Sequence, residues 1–245
     1  MRNSRRLILV GISTLVIGLI ATFPARVAYQ WFAPNELQLS GIDGSVWHGT
    51  ATQGSAGGIY IADINWRFRP LALLSGKLEF VSSSKLASGF FDANIGVGVG
   101  GSVTLSDVAG ALTLDTLATL LPLAGIEGDV SVQFEELVIE NSLPVVATGT
   151  VNIANLVSRL LSPAPLGDYR AEFQTQDDGI VGSVEAISGV LELGGTIRLD
   201  KNRNYKFVGK VAAKPTAPGN ISQQLQLLGS PDAQGKREFR IEGTL

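Results

Sequence analysis

The chain has 245 residues, 45% hydrophobic and 17% charged, with 29 glycines, one histidine and no cysteine. Such a length buries the core of one large domain or two small ones. The cysteine and histidine counts exclude disulfide frameworks, thiolate zinc sites, cysteine nucleophiles and most imidazole metal sites. Four of the 19 basic residues, Arg2, Arg5, Arg6 and Arg26, flank the first apolar run and no acidic residue does, so the remainder carries 15 basic against 22 acidic side chains, a net charge of −7. A net acidic body with no basic stripe offers no footprint for a phosphate backbone, and nucleic acid is not an expected partner.

The first predicted element is apolar. Residues 7–25 carry no charge over 19 positions and are dense in Leu, Ile and Val. A helix of that length spans about 28 Å, close to the hydrocarbon thickness of a bilayer. Three arginines precede the run and one follows, which places the N-terminus in the cytoplasm by the positive-inside rule. A cleaved signal peptide is the alternative, but its apolar region is shorter, and Phe23-Pro24-Ala25 lacks the small residue that an Ala-x-Ala site requires. Both readings export the rest of the chain. The expected organisation is a cytoplasmic tail at 1–6, a transmembrane anchor at 7–25 and a periplasmic domain at 26–245.

Beyond the anchor the pattern is strand after strand. Val130, Val132 and Phe134 alternate with Ser131 and Gln133; Tyr169, Ala171 and Phe173 alternate with Arg170 and Glu172. Similar alternation runs through 191–199 and 205–211. A period of two marks half-buried antiparallel strands, dry on one face and wet on the other. Turn signals separate them: Gly57-Gly58, Gly100-Gly101, Asp177-Asp178-Gly179 and the stretch 200–204. No strand–long helix–strand unit recurs, which disfavours a parallel sheet. The fold class is mainly β: an N-terminal transmembrane helix, then a large, twisted antiparallel sheet with a few short covering helices.

Short helices are predicted at 71–74, 114–121 and 221–228, each stopped by Gly or Pro, with a fourth at 153–161 ending before Ser162-Pro163. Ile221, Leu225 and Leu228 share one face and would cap an open end of the sheet. Pro163 and Pro165 mark a candidate boundary, but strands of one texture lie on both sides. Gly125-Ile126-Glu127-Gly128-Asp129-Val130 also echoes Gly41-Ile42-Asp43-Gly44-Ser45-Val46. One continuous sheet of similar units is the expected result.

Candidate chemistry is sparse. Gly96-Val97-Gly98-Val99-Gly100-Gly101 has the composition of a nucleotide loop, but strand alternation continues through Val103 and Leu105 where a helix would have to begin. It reads as a glycine-rich strand or bulge, and so does Gly194-Gly195. Asp177-Asp178 and Glu135-Glu136 are adjacent carboxylates. Neighbours on a strand point to opposite faces, so neither pair converges for acid–base work. They read as a turn and a bulge. His48 has no Gly-x-Ser-x-Gly nucleophile elbow to serve. No catalytic, cofactor-binding or metal-binding residue is assigned, no cofactor is expected, and the chain reads as a non-enzyme.

The residues that stand out are aromatics among glycines. Gly41-x-x-Gly44-x-Val46-Trp47-x-Gly49 is followed by Ile64-x-Trp66-x-x-x-Pro70-x-x-Leu73-x-x-Gly76. Gly41, Gly44, Trp47, Gly49, Trp66 and Pro70 form the structural signature. An indole brings large apolar area and an N–H that a strand carbonyl satisfies, and opposing glycines let the ring lie flat. The two tryptophans are expected to clamp the first hairpin in the core.

These motifs resemble the N-terminal signature of the type II secretion system protein N family. The later pattern is similar as well: Gly189-x-Leu191-x-Leu193-Gly194-Gly195-x-Ile197-x-Leu199, Tyr205-x-Phe207-x-Gly209, then Leu225-x-x-Leu228-Gly229-x-x-Asp232-x-x-Gly235. The resemblance covers nearly the whole chain. It implies an accessory inner-membrane component of the machine that moves folded proteins across the outer membrane, with other secretion subunits of the inner membrane or periplasm as partners. The strand-and-glycine texture is also similar to AsmA-like proteins, which implies the alternative: a β-groove that binds or transfers lipid. An open, uninterrupted apolar face would separate the second reading from the first.

Overall fold

A computed structural model describes residues 2–33, 37–98, 100–117, 125–159 and 161–244, with the side chains of the first helix described from Val10 onward. Two helices lead. Helix α1 covers Arg2–Ala21 and α2 covers Ala25–Phe32. Among the described residues, fourteen strands follow in one antiparallel sheet. They are β1 (Leu37–Ser40), β2 (Asp43–Gly44), β3 (His48–Ala56), β4 (Ile59–Phe68), β5 (Lys77–Leu86), β6 (Gly89–Gly98), β7 (Val103–Thr113), β8 (Ile126–Glu140), β9 (Leu143–Ser158), β10 (Ser162–Gln176), β11 (Gly179–Gly189), β12 (Leu191–Asp200), β13 (Asn204–Ala213) and β14 (Arg237–Thr244). From β3 onward every strand pairs with its sequence neighbour, while β1 and the short β2 both pair with β3. This meander is what short turns between alternating runs dictate.

The N-terminus differs from the expected anchor. Among the described residues, no helix is long and apolar enough to cross a membrane. Helix α1 also stops four residues short of the predicted end. Pro24 is extended at φ −67° and ψ 133°, because proline disfavours helical geometry in the residue before it and cannot donate to the ladder. Ala25 is buried in the first core cluster, so the last residue of the expected anchor belongs to the body.

The helix expected at 153–161 is a correction of type: residues 153–158 close β9, a central strand paired to β8 and β10, Arg159 and Leu161 lie in a turn, and residue 160 lies outside the described residues. A short apolar run satisfies both periods, and β-branched Val151, Ile153 and Val157 favour the pleated surface once partners stand on both sides. In the glycine run, residues 96–98 close strand β6 and Gly101 adopts φ +79° in the turn to β7, as the Gly100-Gly101 turn signal leads one to expect. The element at 71–74 is a 3-10 helix over Pro70–Ser75. The one at 114–121 is described only as α3 (Leu114–Leu117), its remainder lying outside the described residues. The last is α4 (Gly219–Leu225) running into a 3-10 turn, Gln226–Leu228. Pro163 and Pro165 sit inside β10 where its pairing with β9 is interrupted between Ser162 and Gly167; from Gly167 the strand pairs with both β9 and β11, so the prolines mark an irregularity within one sheet.

One face of the sheet is apolar across its whole width. A single cross-strand row reads Phe134, Gly149, Phe173, Gly182, Ile197, Phe207, Ile241 from β8 to β14. Rings lie across glycines of adjacent strands. A Cβ on Gly149 would fall 2.6 Å from the Phe134 ring, one on Gly195 2.7 Å from Phe207, and one on Gly209 2.7 Å from Phe239. The glycine thus supplies the space, and the aromatic supplies the buried area that the glycine lacks.

The sheet also curls. Asp63, Asp107 and Asn155 adopt φ of +48°, +50° and +53°, and each lies where the register of its strand shifts against a neighbour. Asp and Asn tolerate this left-handed geometry, and a bulge increases local twist and bends the strand. The curl brings distant turns together: the Arg203 guanidinium in the β12–β13 turn donates to the Asn141 carbonyl in the β8–β9 turn at 2.6 Å. In a flat sheet those turns would stand about 19 Å apart. The second half is therefore a trough.

Candidate functional site

The signature residues fall in two settings. Gly41 and Gly44 both take positive φ, +66° and +88°, and turn the chain from β1 into β2 and then β3. The echoing Gly125 and Gly128 take +75° and +155° before and within β8, so the backbone echo holds at the first glycine of each motif and not at the second. Gly49 lies directly under the Trp66 ring. The Trp66 indole donates to the carbonyls of Val46 and Ser45 at 3.1 and 3.2 Å and packs on a core cluster of Ala25, Ile42, Ala51 and Ile64. Pro70 opens the 3-10 turn after β4.

Trp47 does something different from its partner. It lies in the loop of the short β2–β3 hairpin, and its indole N–H donates to the Ile20 carbonyl at 2.7 Å. That carbonyl belongs to the last turn of α1, beyond the intrahelical ladder, and also accepts the Phe23 N–H at 3.3 Å. The ring stacks on Phe68 at 4.8 Å, and Phe68 on Phe80 at 5.4 Å. An aromatic column thus ties α1 to β4 and β5. Between α1, α2 and this column lies a cavity of about 570 Å³, lined wholly by apolar residues including Val16, Ile20, Phe23, Trp31, Phe32 and Trp47.

A second apolar cavity, about 560 Å³, lies in the trough of the second half. Phe134 and Leu137 of β8 face Ile197, Leu199 and Tyr205 of β12 and β13 across it. At the opposite end of these strands, Ile221 of α4 is 1% exposed and packs on Leu166, Leu191 and Val211. The Asn220 amide donates to the Leu161 carbonyl at 2.8 Å and fixes the helix there. Leu225 joins this packing, whereas Leu228 is exposed, so two of the three residues expected on the capping face perform that role.

The polar candidates do not converge. His48 is exposed, and its backbone N–H donates to Ser45 Oγ at 3.2 Å in a local turn. Asp178 pairs with Arg198 at 3.1 Å, and the Asp177 carbonyl accepts from Lys201 at 2.8 Å, both at a hairpin tip. Glu135 and Glu136 are exposed at a register shift of β8 against β9. Among the described residues no group of three or more His, Cys, Asp or Glu is arranged to hold a metal ion. The perturbed carboxylates serve turns. Asp200 is held below the usual carboxylate range by the Asn204 side chain and by backbone N–H groups of Asn204 and Asn202. Asp168 is lowered by the Ser188 hydroxyl and the Asn155 N–H, and the latter pins the bulge in β9. Asp232 is lowered mainly by Lys210, which ties the segment before β14 to β13.

Sequence reasoning placed the bulge at Glu135-Glu136 but missed those at Asp63, Asp107 and Asn155 and the α1–Trp47 bond. The bulges carry a signal: apolar alternation changes phase by one residue at each. Ile59 and Ile61 give way to Ile64 and Trp66 around Asp63; Val103 and Leu105 give way to Val108 and Leu112 around Asp107; Val151 and Ile153 give way to Leu156 around Asn155. The Trp47 bond leaves no such trace.

An open single-layer sheet, concave and apolar on one face and covered there by short helices, defines a β-trough protein. Its relatives are specific. The family model described as "Type II secretion system (T2SS), protein N" matches residues 35–240, and the chain belongs to that family. It is 26% identical to "Type II secretion system protein N" of Aeromonas hydrophila, over 94% of this chain and 93% of that one. The same-named protein of Vibrio cholerae serotype O1 is also 26% identical, over 95% of each chain. One from Aeromonas salmonicida is 38% identical over 47 residues, its whole length but 19% of this chain. No solved structure matches. Family membership assigns the chain to type II secretion.

Proposed function

We propose that the chain is a non-enzymatic component of the secretion machinery, attached to the inner membrane through α1, with its sheet in the periplasm and other secretion subunits as partners. The observation that carries the attachment is the state of residues 10–20, where every position is exposed whichever side of the helix it occupies. A helix apolar all round needs either a protein core or hydrocarbon around it, and this sheet provides no core for it. The arginines at 2, 5 and 6 favour a cytoplasmic start. A periplasm-only reporter fused after Leu245 is expected to be active, with the protein retained in membranes after carbonate washing; release by the wash overturns the attachment. His48→Ala and the double replacement of Asp177 and Asp178 by Ala are expected to leave secretion unchanged. Loss of secretion by a normally folded His48→Ala protein overturns the non-enzymatic reading.

The trough favours a second reading. Its cavity of about 560 Å³ is lined by Phe134, Phe173, Ile180, Ile197 and other apolar side chains, the chemistry of an acyl-chain site. Mass spectrometry of lipids that co-purify with the detergent-free chain lacking α1 tests it. Stoichiometric lipid, lost on Ile197→Arg, supports a lipid-handling role, and lipid-free protein overturns it.

A further inference from the structure

Two groups of large apolar side chains flank the point where α1 joins the sheet. On α2, Trp31 is 66% and Phe32 77% exposed, although Ala25 and Tyr29 of the same helix pack on the core. In the Pro70–Ser75 turn, Leu71 is 78% and Leu74 89% exposed. The turn begins two residues after Phe68, whose ring stacks on Trp47, and Trp47 holds the last turn of α1 through Ile20. Both groups therefore stand beside the foot of α1. Beyond the ring contacts of Trp31 with Phe23 and Phe32, these side chains face solvent among the described residues, and leaving side chains of this size exposed forfeits about 1.5–3 kcal/mol each relative to full burial.

We propose that these groups form a membrane-contact belt, in which Trp31, Phe32, Leu71 and Leu74 insert into the boundary between headgroups and acyl chains of the periplasmic leaflet. The belt rests on the reading of α1 as the membrane attachment. Three features on this surface select a bilayer as the occupant. The apolar surface is continuous with α1, since Val16 and Ile20 line one cavity with Phe23, Trp31 and Phe32. Aromatic rings concentrate here, Phe23 lying 5.9 Å from Trp31 and Trp31 6.2 Å from Phe32, and indoles favour the membrane–water boundary. The flanking charges are mostly basic, with Arg26, Arg67, Arg69 and Lys77 exposed against a partly covered Glu79 that pairs with Arg69 at 2.9 Å. In a body of net charge −7 after Arg26, that local excess suits anionic headgroups. The belt would hold the sheet at a fixed tilt to the membrane, where a lone helix leaves it free to swing.

The cysteine-free sequence allows a direct test. Single cysteines replace Ile17, Phe32, Leu74 and, as an aqueous control on β4, Tyr60; all four side chains are exposed and none belongs to either core cluster, so a fluorescent label leaves both clusters intact. The full chain is reconstituted in phosphatidylethanolamine–phosphatidylglycerol vesicles carrying a nitroxide near the headgroup end of the acyl chain. Quenching is expected at 17, 32 and 74 and not at 60. An aqueous signal at 32 or 74 with quenching at 17 overturns the belt and leaves the attachment of α1 standing. An aqueous signal at 17 overturns the attachment instead, whatever the other positions show.

Discussion

The two halves of the sheet cover the same apolar face in different ways. Over β1 to β4, α2 lies on the face itself: Ala25 and Tyr29 sit on Ile42, Ala51, Ile64 and Leu39, and the Tyr29 hydroxyl both donates to the Leu37 carbonyl and accepts from the Leu39 N–H. From β8 to β14, α4 covers only one end, through Ile221, and the face beyond it curls round a cavity. The first half is closed by a helix that is also joined to α1. The second is closed at one end by a plug and at the other by a single bond from Arg203 to Asn141. A single-layer sheet thus solves the problem of its dry face twice, once by covering and once by curvature.

The largest expected effect breaks the covered half. Trp66→Ala removes a ring that fills the space over Gly49 and is expected to cost about 3–5 kcal/mol, a large part of the ~5–15 kcal/mol that holds a domain together. Thermal unfolding and cellular abundance read this out, and Trp66→Phe should recover most of both. A full melting temperature with lost secretion would make Trp66 a docking residue. Next is Ile221→Ala, expected to cost about 2–5 kcal/mol. Its effect should be local: hydrogen exchange rises in α4, β12 and β13 while β3 and β4 keep their protection. Uniform loss of protection would mean that the halves fold as one unit.

Trp47→Phe is a smaller change. It keeps the stacking on Phe68 and removes the bond to Ile20, worth about 1 kcal/mol. The melting temperature of the sheet should barely move, while proteolysis at 21–24 accelerates. Equal stability of that junction in both proteins would show that the bond does not hold α1. The smallest effect is acid-dependent. The lowered Asp200 carboxyl stabilises the folded state in its charged form, so its contribution is full above the ordinary value of about 3.9 and is lost as the pH falls through the lower folded value. Asp200→Asn should therefore lower the melting temperature slightly at neutral pH and match the parent in strong acid. A gap that persists in acid would assign the effect to geometry and not to charge.

Much of this architecture was legible. The alternation in β8, β10, β12 and β13 and the turns at 57–58, 177–178 and 200–204 required no partner to be recognised, because side-chain period and turn chemistry are local properties. The segment 153–161 was misread for the converse reason. Its strand state comes from hydrogen bonding to β8 and β10, which no local window contains. The tryptophans divide along the same line. The placement of Trp66 over a glycine followed from the Gly–Trp pattern, whereas the role of Trp47 depends on Ile20, which lies 27 residues away.

By itself the sequence determined that the chain is one antiparallel meander with an apolar face, an uncharged leading segment and no obvious reacting group. Those properties are written in period, composition and turn residues. Tertiary structure alone decided how the face is closed. Bulges at Asp63, Asp107 and Asn155 set the curl, α2 and α4 chose which parts to cover, and the ends of distant hairpins met at Arg203 and Asn141. Curvature accumulates over many strands from small local twists. Whether an apolar face becomes a core, a trough or a membrane contact is therefore fixed only when the whole sheet is assembled.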